Sequence, residues 1–74
     1  MPETRPLRQV LADNMKALRA EKNISQEDFA AQCELHRTYI SDVERCKRNI
    51  SIDNIEKIAA AFQIKASELL KENR

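Results

Sequence analysis

The chain of 74 residues contains no glycine and no tryptophan. Glycine-rich loops that hold phosphate groups are therefore absent, and any helix end that needs a positive φ must use another residue. We expect Asn23, Glu34 and Cys46 to be such residues, with a positive φ at Glu34, at Cys46 or at both. The alternative is that these turns avoid positive φ altogether.

Long apolar runs are also absent. No stretch approaches the roughly 20 apolar residues that a membrane span requires, and the N-terminus MPETRPLRQ lacks the apolar centre of a signal peptide. The chain has two cysteines, Cys33 and Cys46, where a secreted domain of this size usually carries more, arranged in a disulfide framework. We expect a cytoplasmic protein without membrane contact.

Residues suited to catalysis or metal binding are few. There is one histidine, and no pair of acids lies in an apolar setting, so we predict no enzyme. Cys33, His36 and Cys46 supply only three ligands, without the paired spacing of a zinc site. Cys33 lies among apolar residues and is interpreted as a small core residue, and His36 as the residue that opens a helix. We predict no metal, no cofactor and no small-molecule ligand.

Apolar residues instead recur with helical spacing, and no strand pattern appears. Leu7, Leu11, Met15 and Leu18 form one stripe. Hydrophobic residues are 42% and charged residues 34% of the chain, which is typical of a compact helical domain. The sequence predicts one all-α domain over residues 1–74, with helices at about 6–22, 26–33, 37–45, 52–62 and 66–71.

Residues 25–45 are the most informative segment. A short helix capped by Ser25 is followed by a break at residues 34–36 and a second helix that turns Ile40 and Val43 inward. One buried helix followed by another edged with hydrogen-bonding side chains is the layout of a helix-turn-helix that recognises the DNA major groove. The outward residues of the second helix are Arg37, Thr38, Ser41 and Arg45, with Tyr39 beside them.

Arg37 is the main candidate for base recognition, because the first residues of a recognition helix face the base edges. Its guanidinium can pair with O6 and N7 of guanine, although an arginine taken in isolation is more often simply solvated. Thr38 can contact a thymine methyl or a phosphate, and Tyr39 can pack on the sugar–phosphate edge. Ser41 lies on the same side of the helix.

Basic residues are concentrated just after this helix, although the net charge is only +1. Residues 36–49 carry a local charge of +2, whereas residues 25–35 contain acids and no basic residue. Local fields act within a Debye length, so a basic edge on a nearly neutral protein can follow phosphates; the alternative is a solvated loop. The residues of this basic connector that we expect to contact DNA are Arg45, Lys47, Arg48 and Asn49.

Two further polar residues have predicted contacts, one at the start of the first of these helices and one at the end of the second. Gln26 can donate to a phosphate at a helix N-terminus, or can be an ordinary exposed residue. Glu44 follows Ile40 by one turn and should be only partly exposed, and a buried or half-buried carboxylate needs a partner. Arg19 is the candidate, so an Arg19–Glu44 ion pair is predicted to hold the first helix against the third.

Three stretches, LRAEKNISQEDFA, RTYISDVER and NISIDNIEKIAAAFQIKASELL, resemble the Cro/repressor (XRE-like) helix-turn-helix family over about four-fifths of the chain. The likeness is greatest to the small controller proteins of restriction–modification systems. It implies a five-helix, lambda-repressor-like fold and a symmetric dimer on a palindromic operator that regulates its own gene and an endonuclease gene. It also implies a base contact for Arg37, a second base or groove contact for Arg48, and backbone and shape readout by Thr38 and Tyr39. Gln26 is implied to contact a phosphate, and Arg19 and Glu44 to form an ion pair.

The resemblance is incomplete at the turns, since the family usually has glycine where Asn23, Glu34 and Cys46 stand. The dimer interface is expected on the last two helices. Two other roles remain open: an antitoxin-like or adaptor module that binds a protein, and a phage-type repressor. The apolar residues left for a dimer interface after the core is built are Ile64, Leu69 and Leu70.

Overall fold

A computed structural model describes residues 5–72, and this part of the chain folds into helices without a strand. The predicted all-α, five-helix class is confirmed. No helix within the described residues is long and apolar enough to cross a membrane. The helices are α1 (Leu7–Lys22), α2 (Gln26–Cys33), α3 (Arg37–Glu44), α4 (Ile52–Phe62) and α5 (Ala66–Leu69).

Three helix ends differ from the prediction. Pro6 is the N-cap of α1 rather than a residue of its first turn, because its ψ of 142° is extended. Helix α3 ends at Glu44, one residue earlier than predicted, since the chain soon enters the left-handed region at Cys46 (φ 62°). Helix α5 ends at Leu69, two residues early, because Leu70 leaves helical geometry (φ −101°, ψ 7°).

The centre of the core lies where α2 meets α4. The rings of Phe29 and Phe62 are stacked with their centroids 4.2 Å apart, and both side chains are almost fully buried. Such a pair contributes about 0.5–1.5 kcal/mol beyond its burial. Burial also raises the pKa of the Cys33 thiol to about 11, which agrees with its assignment to the core. The other large buried side chains are Leu11, Met15, Ile40, Ile58 and Leu69.

The apolar stripe predicted on α1 faces the core along most of its length, but its first residue does not. Leu11 and Met15 are buried and Leu18 is half-buried, but Leu7 is 58% exposed. Leu7 is the first residue of α1, one turn before the part of the helix that the core covers. It lines a shallow surface groove instead.

A buried amide attaches the last helix to the first. Asn14 is 7% exposed, and its side-chain N–H groups donate to the backbone oxygens of Leu69 (2.7 Å) and Lys71 (2.9 Å). Helix α5 has only four residues, too few to be stable through its own hydrogen bonds. Asn14 and the buried side chain of Leu69 therefore hold α5 in place.

Three helices end in the same way, with a left-handed residue followed by an aliphatic one. Asn23, Glu34 and Gln63 have φ values of 57°, 61° and 61°. The next N–H in each case donates to the carbonyl five residues earlier, at 2.9–3.1 Å, which is a Schellman motif. The aliphatic residues that follow are Ile24, Leu35 and Ile64, and each packs against the core.

The predicted positive φ is thus confirmed at Asn23, Glu34 and Cys46. Gln63 is a fourth such position, which the sequence analysis missed. The pattern was visible, because Gln63-Ile64 repeats the polar–aliphatic pair of Asn23-Ile24 at the end of a helix.

Replacing Glu34 by glycine is expected to stabilise the protein by about 0.5–1 kcal/mol. A residue with a Cβ loses roughly 1–2 kcal/mol in the left-handed region, and the greater freedom of glycine in the unfolded chain offsets part of the gain. Urea unfolding of Glu34→Gly and Glu34→Ala measures the effect, because alanine keeps the Cβ. Equal stability of the two variants would contradict this account.

Candidate nucleic-acid interface

Local capping interactions set the directions of α2 and α3. The Ser25 hydroxyl accepts the N–H of Asp28 at 3.0 Å, which begins α2. His36 has the role expected from the sequence, since its Nδ1 accepts the N–H of Thr38 at 3.2 Å and begins α3. The left-handed Glu34 reverses the chain between the two helices. The turn between the two helices is thus bounded by the C-cap Glu34 of α2 and the N-cap His36 of α3.

Helix α3 has one buried side and one exposed side. Ile40 (0% exposed) and Val43 (2%) attach it to the core, as the sequence predicts. Arg37 lies at the exposed N-terminal end of the helix. Among the residues predicted to contact DNA, Gln26, Tyr39 and Ser41 are half-buried, and those that are exposed are Arg37, Thr38, Arg45, Lys47, Arg48 and Asn49.

The structure brings Arg19 and Glu44 together in a two-pronged ion pair. Arg19 Nε donates to Glu44 Oε2 at 2.7 Å, and Nη2 donates to Oε1 at 2.9 Å. Nη1 of the same guanidinium donates to the backbone oxygen of Ile24 at 2.9 Å. The Glu44 side chain is 2% exposed, and its hydrogen bonds raise the pKa of Arg19. This parallel geometry is the strongest form of an arginine–carboxylate contact.

Gln26 is part of the same network. Its Nε2 donates to Glu44 Oε1 at 3.0 Å, so the first residue of α2 is tied to the last residue of α3. The sequence predicts a phosphate ligand or an exposed residue at Gln26, and this contact with Glu44 was not predicted. One carboxylate therefore joins α1, α2 and α3.

A second carboxylate, Asp42, gathers the basic residues at the other side of α3. Asp42 Oδ1 accepts from Arg45 Nη2 at 3.2 Å, and Oδ2 accepts from Arg48 Nη2 at 3.4 Å. The guanidinium carbon of Arg48 also lies 4.8 Å from the centroid of the Tyr39 ring. The sequence places Asp42 on the outward side of this helix but assigns it no partner. The three-residue spacing between Asp42 and Arg45 on a helix was the available indication.

The start of α1 reaches the basic connector and adds a cation that the sequence analysis missed. The Arg8 guanidinium donates to the side-chain oxygen of Asn49. The Cys46 thiol is 3.6 Å from the backbone oxygen of Arg8 and 3.5 Å from Gln9 Oε1. No sequence pattern connects residues 8 and 49, because only the packing of α1 against α3 brings them together.

No metal site is present in the part of the chain that the structure describes. No group of three or more histidine, cysteine or acidic side chains between residues 5 and 72 is arranged to hold a metal ion. Cys33 is 3% exposed within the core, and both cysteines are free thiols. Cys33 is therefore part of the hydrophobic core rather than a metal ligand.

The residues predicted for a dimer interface are not brought together. Leu69 is wrong as an interface residue of the folded chain, because its side chain is 0% exposed and fills the core. Ile64 and Leu70 are half-buried and line two different grooves. The Ile64 groove is lined by Asn14, Ala17, Leu18, Glu21, Ile64 and Glu68. The Leu70 groove is lined by Leu7, Arg8, Leu11, Arg48, Asn49, Ile50, Ile55 and Leu70.

Glu44→Ala is expected to destabilise the protein by about 2–4 kcal/mol, because it leaves the partly buried Arg19 without a counter-charge. Thermal or urea unfolding measures the loss, and the neighbouring exposed Arg45→Ala is the control. A double-mutant cycle with Arg19→Ala isolates the energy of the pair. An unchanged melting temperature in Glu44→Ala would refute the structural role.

The comparisons with known proteins agree with this geometry. The helix-turn-helix family matches residues 15–69. A hypothetical transcription factor of Neisseria meningitidis serogroup B is 51% identical over 95% of this chain and 66% of its own length. The control protein C.BamHI of Bacillus amyloliquefaciens is 47% identical over 90% of this chain and 84% of its own length.

Solved structures support the same assignment. The restriction–modification controller protein C.AhdI from Aeromonas hydrophila superposes with a TM-score of 0.80 at 39% identity, over 84% of this chain and 94% of that one. These relatives are named as a hypothetical transcription factor, a control protein and a restriction–modification controller protein. The chain therefore belongs to the XRE-like helix-turn-helix family of DNA-binding transcription regulators, within which it resembles the restriction–modification controller proteins.

Proposed function

We propose that the protein is a dimeric transcription regulator that binds a palindromic operator and controls restriction–modification genes, including its own. The observation that carries the proposal is the exposed Arg37 at the N-terminal end of an α3 helix that is fixed from behind. Ile40 and Val43 bury the back of this helix, and Glu44 ties its end to α1 and α2. The relatives named as control proteins support the regulatory role. This role places the protein in the cytoplasm, with the DNA.

Base recognition falls mainly to Arg37. A guanidinium at this end of a recognition helix can donate two hydrogen bonds to guanine, a contact worth about 1–3 kcal/mol of discrimination. Thr38 is exposed next to it, with a methyl for thymine or a hydroxyl for phosphate. Tyr39 and Ser41 are half-buried on the adjoining surface and contribute to the fit against the DNA backbone.

Affinity comes from the basic connector and is expected to depend on salt. Each phosphate contact releases counterions and adds about 0.9 to the slope of log K against log salt. Gln26 donates one N–H to Glu44, and its amide nitrogen has a second N–H for a phosphate. The connector residues assigned to phosphates or groove edges are Arg45, Lys47, Arg48 and Asn49.

A dimer on DNA requires the two α3 helices to lie about 34 Å apart, one turn of the duplex. We assign the two-fold contact to the Leu70 groove, because its apolar residues adjoin Arg48 and Asn49 of the connector. An interface beside the connector can bring two connectors onto one face of the operator. Leu7, which is 58% exposed at the edge of this groove, supplies apolar area that the single chain leaves open to solvent.

Selection of bound duplexes from a random DNA pool tests operator recognition. The wild-type protein should return a palindrome, and Arg37→Ala should lose about 1–3 kcal/mol for it and accept other bases at one position in each half-site. Lys57→Ala, which removes an exposed cation on α4, is the charge-matched control. If Arg37→Ala weakens all sequences equally, Arg37 contacts a phosphate and the assignment is wrong.

Sedimentation at micromolar concentration tests the dimer. The wild-type protein should be dimeric, and Leu70→Asp should shift it toward monomer because the charge enters the proposed apolar contact. Ile64→Asp places the same charge in the other groove and should leave the dimer intact, with circular dichroism showing that both variants keep their helices. A monomeric wild-type protein, or dissociation by Ile64→Asp alone, would contradict the assignment.

A further inference from the structure

Asp42 has an unusual environment for an acid on a DNA-binding surface. Its two oxygens accept from two different arginines, Arg45 at 3.2 Å and Arg48 at 3.4 Å. The Asp42 side chain is 22% exposed, whereas the arginine side chains are 60% and 47% exposed. A carboxylate here subtracts charge where phosphates are expected to bind, so it opposes simple electrostatic attraction to DNA.

The contacts around Asp42 also fix the direction of the connector. The N–H of Lys47 donates to the backbone oxygen of Asp42 at 2.8 Å, which folds the connector back against α3. Arg48 then lies over the Tyr39 ring, 4.8 Å from its centroid, with one amino group on Asp42. The Arg48 guanidinium is therefore held between a carboxylate and an aromatic face, in one orientation along the recognition helix.

We propose that Asp42 is a specificity-determining positioning residue, which keeps Arg45 and Arg48 oriented along α3 and withholds them from the phosphates of non-operator DNA. The inference rests on the proposed function. Non-operator binding depends almost entirely on phosphate contacts, so it loses most when two arginines are restrained. Operator binding has the base contacts of Arg37 in addition, and it uses an Arg48 that is already oriented. Specificity is a difference between two affinities, so a contact that weakens binding to non-operator DNA increases it.

The same contacts contribute little to folding. Ion pairs as exposed as these are worth a fraction of what a buried pair contributes, and the backbone bond from Lys47 does not involve the carboxylate. Asp42→Asn keeps the shape of the side chain and should leave the melting temperature unchanged. An effect of this substitution on DNA binding is then not a consequence of unfolding.

The decisive measurement is the affinity of Asp42→Asn for the selected operator and for a scrambled duplex of equal length, over a range of KCl concentrations. Non-operator affinity should rise about 3–10-fold, and its salt slope should steepen by roughly one to two because up to two arginines become available. Operator affinity should stay within about twofold, because the phosphate attraction gained from the released arginines offsets the loss of a pre-oriented Arg48. The ratio of the two affinities should therefore fall, and Asp42→Glu, which restores the charge, should recover much of it.

Asp13→Asn is the matched control. Asp13 is also an acid with two cationic neighbours, Arg5 at 2.5 Å and Lys16 at 3.8 Å. Lys16 lies in α1 and Arg5 just before it, and neither is among the residues assigned to DNA. If Asp42→Asn and Asp13→Asn change non-operator binding and the salt slope equally, only net charge matters and the inference is overturned. If the wild-type protein prefers no DNA sequence, it is the proposed function that fails.

A second readout uses the free protein. Tyr39 is the only tyrosine and there is no tryptophan, so tyrosine emission reports on Tyr39 alone. Asp42→Asn should raise the acrylamide quenching of this emission toward the value of Arg48→Ala, which uncovers the ring directly. Unchanged quenching in Asp42→Asn would show that the carboxylate does not hold Arg48 in place and would overturn the inference.

Discussion

The orientation of the recognition helix depends on one buried carboxylate. Glu44 is 4% exposed, and its oxygens accept two hydrogen bonds from Arg19 and one from Gln26. An isolated charge at this depth would cost several kcal/mol, so the three donors are a condition for folding rather than an addition to it. Because Arg19 belongs to α1 and Gln26 to α2, α3 can take its place only when both neighbours are correctly docked. The exposed Arg37 end of α3 is therefore positioned by contacts on its opposite end.

The turns satisfy a second constraint, which the absence of glycine makes more demanding. Three helices end in a Schellman motif whose left-handed residue carries a Cβ. In each, the aliphatic residue that follows packs against the core, so that burial compensates the backbone cost of roughly 1–2 kcal/mol. Ile64 is one of these residues. Ile64 was expected to be available for a dimer interface, but part of its apolar surface is already buried in the turn that ends α4.

The sequence predicts most of the scaffold and only part of the candidate interface. Periodicity and capping residues locate the helices, and the partial burial expected for Glu44 leads to Arg19 as its partner. The failures have a common physical origin. Leu69 is buried, and Arg8 meets Asn49, because of the angles at which helices pack, which no local pattern encodes. The contact between Asp42 and Arg48 depends on the return of the connector after Cys46. The left-handed conformation of Cys46 is predictable, but the direction in which the chain then runs is not.

The shortest helix has a consequence for association. Helix α5 has four residues and is held by the amide of Asn14 and the buried side chain of Leu69. Helix α5 should therefore unfold together with α1. The surface that includes the half-buried Leu70 is then present only in the folded protein. Any second molecule that binds this surface selects the folded state and stabilises it by mass action. The free energy of unfolding should then rise with the concentration of the molecule that binds there.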